Sequence, residues 1–339
     1  MPILSNVVFE AGANCLSIVA TDLDLQLKQD LPATSDGAFA ITIPAYRLTA
    51  IANAVKPDAQ LTFVLQEGQR VAIKSGRSRW VLATLPRDDF PRMPLPTTDR
   101  KLAFKPADLA ELVNRVTPFR STEQTRYYLN GPLWHGEAGK IALAATDGHR
   151  LMRAQLDVDW PEDAPEVILA PKACKLLGTL GEEVGDLRLA WDQSRVGVAV
   201  GRIEIIAKVI DGTFPDYRRV IPSKIDTPLR IEPEELRGAI SRLLVAGDRP
   251  DSAVLIDPTD GGVTLAMKAS DALADAAEDV ACEAGSQPAT AFNARYLLEM
   301  LAAIGGDTVE IHMADGRAPA LIVRTVEDSA VGTVMPMGR

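Results

Sequence analysis

A spacing constrains this chain more than any single motif. Ala145-Thr146-Asp147-Gly148-His149-Arg150-Leu151 follows the apolar run Ile141-Ala142-Leu143-Ala144. It reads as a strand entering a tight Asp-Gly turn, where glycine accepts a positive φ without steric cost. A weaker copy, Ser17-Ile18-Val19-Ala20-Thr21-Asp22-Leu23-Asp24, lies upstream, and a fainter one, Leu265-Ala266-Met267-Lys268-Ala269-Ser270-Asp271, downstream. Asp22, Asp147 and Asp271 are separated by steps of 125 and 124. Other landmarks keep the phase. Gly76-Arg77 maps onto Gly201-Arg202, Phe90-Pro91 onto Phe214-Pro215, Asn6 onto Asn130, and Leu85-Pro86 onto Met335-Pro336 at twice the step. A chain with this period folds as three similar units.

Each unit repeats an order of elements. In the first, a strand over 39–43 leads to Pro44 and a helical stretch over 44–56, proline being tolerated where the first helical amide has no partner anyway. Alternating strands follow at 61–65, 71–74 and 80–84, with Glu67-Gly68 turning between the first two. In the second unit Pro171 opens a helix over 171–181, and strands follow at 187–191, 196–200 and 203–209. In the third, Asn293 starts a helix over 293–304 with Leu297, Leu298, Leu301 and Ile304 at helical spacing, ahead of strands at 309–313 and 321–324. Units two and three each begin with an extra strand and helix, the helices over 107–117 and 233–246. Asn130 lies 29 residues after Lys101, whereas Asn6 is near the start, so roughly 25 residues of strand and helix are expected to be absent from the front of the first unit. Pro/Thr/Ser-rich linkers at 93–98 and 222–227 divide the chain into domains 1–98, 99–225 and 226–339. Two helices with several hairpin-linked strands per unit make the class α+β rather than parallel βαβ.

Composition narrows the function. No apolar run of about 18 residues exists, which argues against a membrane span, and the first residues carry neither a basic region nor an apolar stretch of the kind that directs secretion. Cys15, Cys174 and Cys282 are far apart and odd in number, which fits a reducing cytoplasm better than a disulfide framework. A net charge of −10 argues against a nonspecific nucleic-acid coat, but not against a local basic face. The five helical stretches are together net positive, with Arg47, Lys56, Lys172 and Lys175, while acid collects on strands and loops, for instance Asp275, Glu278 and Asp279.

Catalytic and cofactor signatures are missing from the sequence. His135, His149 and His312 have no second histidine or cysteine at metal-ligand spacing. There is no GxxxxGK[ST] loop, no GxGxxG turn and no nucleophile elbow, and the pairs Asp22/Asp24 and Asp88/Asp89 read as solvated turns. No catalytic residue, metal or cofactor is therefore assigned. One stretch is more specific. Arg126-Tyr127-Tyr128-Leu129-Asn130-Gly131 places two of five tyrosines beside an arginine, a combination suited to phosphates and base stacking. Read alone, it favours one packed and one exposed tyrosine over a binding role.

Taken together, Tyr127 to Gly131, Ala145 to Leu151, Asp211-Gly212-Thr213-Phe214-Pro215-Asp216-Tyr217-Arg218-Arg219-Val220, Ser75 to Arg79 and Met335-Pro336-Met337 resemble the bacterial DNA polymerase III beta subunit family, the sliding clamps. The resemblance runs in order from Pro2 to Met337. It implies a clamp fold of three domains in a crescent, helices lining a channel and antiparallel sheets outside. It also implies a head-to-tail homodimeric ring around double-stranded DNA, held without sequence readout. Such a ring needs only mildly basic helices meeting phosphates, for which Arg126, Tyr127, Tyr128 and Lys172 are the candidates. The resemblance further implies a groove between the second and third domains. There the polymerase III alpha subunit, the clamp loader and repair proteins insert a short peptide. The groove would be built from Leu129, Thr146, Gly148, His149, Arg150, Leu151, Pro215, Arg219, Val220, Met335, Pro336 and Met337, with adaptable methionines suited to several partners.

The chain departs from the family pattern in three places. Gly338-Arg339 stands where Arg-Leu usually closes the chain, Arg317 stands where an apolar pocket wall is usual, and the first strand and helix are not seen. Arg317 joins the groove set on that mapping, and a charged wall is expected to shift peptide preference toward acidic positions. The competing expectations are a clamp-derived interaction module that does not encircle DNA and, more remotely, an enzyme on a triplicated scaffold. A stable monomer in sedimentation would favour the former and a clustered polar pocket the latter.

Overall fold

The computed structural model describes residues 2–102, 105–247, 249–268, 275–324 and 329–338. Within them the repeat is visible as element order. The second repeat runs strand Thr98–Leu102, helix Pro106–Val116, four strands (Leu133–Glu137, Lys140–Thr146, Arg150–Leu156, Val167–Leu169), helix Pro171–Leu177, then strands Leu187–Trp191, Arg195–Val200 and Ile203–Ile210. The third repeats that order from strand Leu229–Ile231 and helix Pro233–Leu243, through Ala253–Thr259, Gly262–Lys268, Asp275–Ala281 and Thr290–Asn293, to helix Ala294–Ile304 and strands Val309–His312, Ala320–Arg324 and Ala330–Val334. The first repeat has the last eight of these ten elements, from Asn6–Ala11 to Ser78–Ala83, with helix Ala45–Ala54. The strand registers among the described residues are antiparallel, within repeats and between them, which makes the class α+β. The fainter turn copy at Asp271 lies outside the described residues, as does Arg339.

The helix ends differ from the sequence expectation for local reasons. The helix opened by Pro171 stops at Leu177 rather than 181, because Gly178 closes on Cys174 and its carbonyl accepts from Asn114 Nδ2 at 3.0 Å. A single 3-10 turn, Leu180–Glu182, follows. The helix expected over 233–246 ends at Leu243, where the Val245 and Ala246 amides donate three residues back, to Arg242 and Leu243. Such tightening is the usual way to satisfy terminal carbonyls. Asn293 does cap its helix, its Oδ1 accepting from the Tyr296 amide at 3.1 Å. Gly76 and Gly201, matched by the repeat, take φ of 56° and 55° in equivalent hairpins.

Two compact units emerge from packing, Met1–Pro106 with Glu182–Val209, and Ala107–Gly181 with Ile210–Arg339. In the first, strand Ile203–Ile210 pairs with Leu25–Pro32, so one sheet joins strands of the first and second repeats around cores such as Phe9, Ile43 and Val71. In the second, Arg150–Leu156 pairs with Ala330–Val334 in the same manner, joining the second and third repeats. Strands Thr98–Leu102 and Leu229–Ile231 cover the outer edges of Leu187–Trp191 and Val309–His312. The equivalent edge in the first repeat, Thr62–Gln66, has no such partner among the described residues, and Val64 and Leu65 are exposed there.

Candidate functional site

The Thr146–Arg150 turn is built from its own side chains. The Asp147 amide donates to the Arg150 carbonyl, while Asp147 Oδ1 accepts from the amides of His149 and Arg150 at 2.9 and 3.0 Å. Thr146 Oγ1 donates to the Arg150 carbonyl and accepts from the Gly148 amide. Aspartate and threonine at these positions hold a turn by mimicking backbone acceptors. Gly148 has φ of 91°, and a Cβ there would come 2.9 Å from an Arg126 guanidinium nitrogen, so glycine serves both backbone and neighbour.

Arg150 is the most committed side chain of the group. It is 7% exposed. Its Nε donates to Asp147 Oδ2 at 3.0 Å, one terminal nitrogen is bonded to Glu299 and the other to the Pro118 carbonyl. Its guanidinium lies 4.9 Å from the Phe119 ring centre and 4.5 Å from that of Tyr296. A planar cation stacked between two rings and forked to two carboxylates is a structural pin. Burial would raise the Glu299 carboxyl, but hydrogen bonds from Arg295 and Arg150 outweigh it and hold the group below its ordinary value. Leu151, 1% exposed, packs with Leu133, Ala144, Ile168 and Tyr217 beneath the turn, and Leu129 is also buried. Arg150, Leu151 and Leu129 thus form floor and frame, while Gly148 and His149 are exposed.

Two further segments flank the turn. The Met335 amide donates to the His149 carbonyl at 2.8 Å, extending the pairing of Arg150 with Val334 by one residue. Pro336 then bridges to Phe292, and the Met337 amide donates to the Ala291 carbonyl. Those bonds anchor the tail backbone and leave Met335 and Met337 about two-fifths exposed. On the other side, the 3-10 turn Tyr217–Val220 buries Tyr217, whose hydroxyl is hydrogen-bonded with His135 Nε2 at 3.0 Å, while His135 Nδ1 lies 2.9 Å from the Gly136 carbonyl and 3.3 Å from an Arg218 guanidinium nitrogen. Burial pushes the His135 imidazole down, toward the neutral form this pairing needs. With Tyr217 inward, Pro215 and Val220 are exposed, and Arg219 faces Asp216 at 3.4 Å. Arg317 is exposed in a loop whose Asp315 Oδ1 accepts from the amides of Arg317 and Ala318.

The tyrosine pair divides. Tyr128 is half-buried against the cluster under Leu151, Tyr127 is exposed, and their rings meet edge to face at 5.8 Å. Arg126 lies beside Gly148, paired with Glu123 at 3.3 Å, so it borders the turn. Lys172 is exposed on its helix. His312, buried, accepts from the Ile225 amide through Nδ1.

Three residues of this site escaped the sequence reading. Tyr296 stacks on His149 at 6.2 Å and on Arg150, Glu299 binds Arg150, and Phe119 closes the other face. Tyr296 and Glu299 lie on the first turns of a helix expected for other reasons. The available signal was a tyrosine and a glutamate on the polar side of that helix, which no local pattern links to residues 150 positions away.

Comparisons with known proteins bear on the chain as a whole. Models of the DNA polymerase III beta subunit match in order: the N-terminal domain over residues 1–94, the central domain over 103–216 and the C-terminal domain over 218–338. The Beta sliding clamp of Vibrio cholerae is 33% identical over 99% of this chain and 92% of its own length, and that of Caulobacter vibrioides 34% over the same shares. The crystal structure of the Pseudomonas aeruginosa sliding clamp bound to griselimycin superposes with a TM-score of 0.93 at 29% identity, covering all of this chain and 92% of that one. Three domain models in sequence order, identity over nearly the whole length and a shared fold lead to one conclusion: the chain belongs to the DNA polymerase III beta subunit family, the bacterial DNA sliding clamps.

Proposed function

We propose that this sliding clamp works as a head-to-tail ring of two copies, closed around double-stranded DNA in the cytoplasm. It acts as a processivity subunit without catalytic residues of its own. The observation that carries the ring is a pair of unmatched edges. Strand Ile203–Ile210 of the second repeat joins Leu25–Pro32 of the first, and Ala330–Val334 of the third joins Arg150–Leu156 of the second. The same rule leaves Ser78–Ala83 and Asp275–Ala281, each paired on one side only among the described residues. The third junction therefore falls between copies. Charge supports it, since Arg77 and Arg79 lie at one edge and Asp275, Glu278 and Asp279 on the other. Isolated edges of this kind are otherwise an aggregation liability.

DNA passes without base readout, so retention is topological and phosphate contacts need only be weak. Lys172, Arg126, Tyr127 and Tyr128 are the proposed contacts. Arg126 and the tyrosines lie against the turn at Gly148 and Gly212, so they also border the groove. The groove, comprising Gly148, His149, Pro215, Arg219, Val220, Arg317, Met335, Pro336 and Met337 over a frame of Leu129, Thr146, Arg150 and Leu151, docks peptides of the polymerase III alpha subunit, the clamp loader and other partners. The test is retention on nicked circular DNA after loading with clamp loader and ATP. Linearising the circle is expected to release the clamp, and equal retention on both topologies would reject the ring. Reversing the edge charge with Arg79→Glu is expected to shift sedimentation from dimer to monomer.

A further inference from the structure

Resting on the groove reading above, we infer that Arg317 makes the groove selective for peptides that place a carboxylate beside the side chain seated on Met337. Two separate features of the fold bring these residues together. Ala320 stands opposite Val334 in the antiparallel pair Ala320–Arg324 with Ala330–Val334. The loop that precedes Ala320 and the tail that follows Val334 therefore leave the sheet at the same end. The second feature is a shared neighbour. The Met337 amide donates to the Ala291 carbonyl at 2.8 Å, and a Cβ at Gly316 would lie 3.5 Å from Thr290 Oγ1, so tail and loop rest on the same stretch of chain.

The charge balance points to the ligand. Arg150 is consumed by Asp147 and Glu299, whereas Arg219 meets Asp216 only in an exposed pair at 3.4 Å. Asp315, the acid nearest Arg317 in the chain, spends Oδ1 on two backbone amides, which hold its carboxyl below the ordinary range. The Arg317 side chain is exposed, and its guanidinium acts on Asp315 only as the smallest of the influences that lower that carboxyl. An exposed fork of donors on a loop that shares its neighbour with the two-fifths-exposed Met337 fits an extended segment with an apolar anchor and a neighbouring Asp or Glu, engaged by charge-assisted hydrogen bonds. A guanidinium with an unshared fork distinguishes carboxylate from carboxamide, because an amide offers one acceptor where the carboxylate offers two.

The experiment uses the full chain and a set of fluorescein-labelled octapeptides. Each carries two leucines and, at each other position in turn, Asp, Glu, Asn or Gln, and binding is read by fluorescence polarisation. Carboxylate members at one position are expected to bind about three- to tenfold tighter than their amide counterparts at low salt. The preference is expected to vanish in Arg317→Gln, to persist in weakened form in Arg317→Lys, and to shrink in roughly 0.5 M salt. Met337→Asp separates the two readings. If peptides bind and that substitution abolishes binding, but acids and amides bind alike, the groove stands and the role of Arg317 is overturned. If no member binds, or binding ignores Met337→Asp, the groove reading itself fails and takes this inference with it. A preference that survives Arg317→Gln unchanged assigns the selectivity to another cation and also overturns the proposal.

Discussion

The turns at Thr21–Leu25 and Thr146–Arg150 are nearly the same piece of backbone with different careers. Asp22 and Asp147 each donate an amide to the carbonyl three residues on and accept two amides on Oδ1, while Thr21 and Thr146 each bridge to residue 25 or 150 through Oγ1. Leu23 and Gly148 both sit at positive φ, 77° and 91°. The difference begins at the last residue. Leu25 continues a strand with nothing to say beyond it, whereas Arg150 reaches to Asp147, Glu299, Phe119 and Tyr296. A third Asx turn, Asp192 to Arg195, shows an intermediate stage. Arg195 folds back onto Asp192 and donates to the Pro94 carbonyl. A local turn of fixed geometry is thus reused, and at its last position a side chain that binds distant neighbours stands where the other copy has one that does not.

The largest effect expected from breaking this comparison is at Arg150. Arg150→Ala takes the guanidinium from Asp147, leaves Glu299 with Arg295 alone and empties the slot between two rings, costing about 3 kcal/mol, discounted for the partial exposure of Glu299. Leu25→Ala, the positional equivalent, deletes only apolar contact, and denaturant unfolding compares the two. Acid should dissect the pair further. The folded-state pKa of Glu299 is depressed, so its contribution is complete above the ordinary glutamate value of 4.5 and lost as pH falls through the lower folded value. The Arg150→Ala variant is expected to show a shallower loss of stability over that acid window than the parent protein.

Of middle size are the threonines. Thr146→Val and Thr21→Val each remove one bridge to a carbonyl and one acceptor for an amide, and each is expected to cost about 1 kcal/mol. Unequal losses would show that the turns are alike in shape only. The smallest and most diagnostic pair concerns positive φ. Gly148→Ala is expected to destabilise by roughly 1–2 kcal/mol, since it adds strain and crowds Arg126, whereas Leu23→Gly relieves strain and is expected to stabilise by about 0.5 kcal/mol net of chain entropy. Thermal midpoints with opposite shifts at equivalent positions would confirm that the backbone demand is the same.

The helix and strand order was legible because each unit carries its own periodicity and punctuation, and three imperfect copies correct one another. Pro171, Pro233 and Asn293 mark helix starts by chemistry that acts within a few residues. Helix ends were misjudged at Leu177 and Leu243, where Gly178 meets Asn114 and where the chain tightens after Arg242, events set by packing or by a single turn. In the groove, resemblance named the residues but not their state. Arg150 and Leu151 are as much named by the motif as His149, yet two are buried and one is exposed. Tyr296, Glu299 and Phe119 were not named at all.

What the sequence determined by itself is everything that repeats. The step of 124 to 125 residues, the turn chemistry of Thr-Asp, and the alternation of strands and capped helices depend on interactions within about a dozen residues, which survive in each copy. Only the tertiary structure decided which edges join, with Arg150–Leu156 finding Ala330–Val334 and Leu25–Pro32 finding Ile203–Ile210, and which of two like turns gains neighbours. The reason is range. Backbone preferences and caps are short-range and can be read along the chain. Whether a guanidinium is spent on a carboxylate 149 positions away, as at Arg150, or stays exposed, as at Arg317, is settled by packing between distant segments.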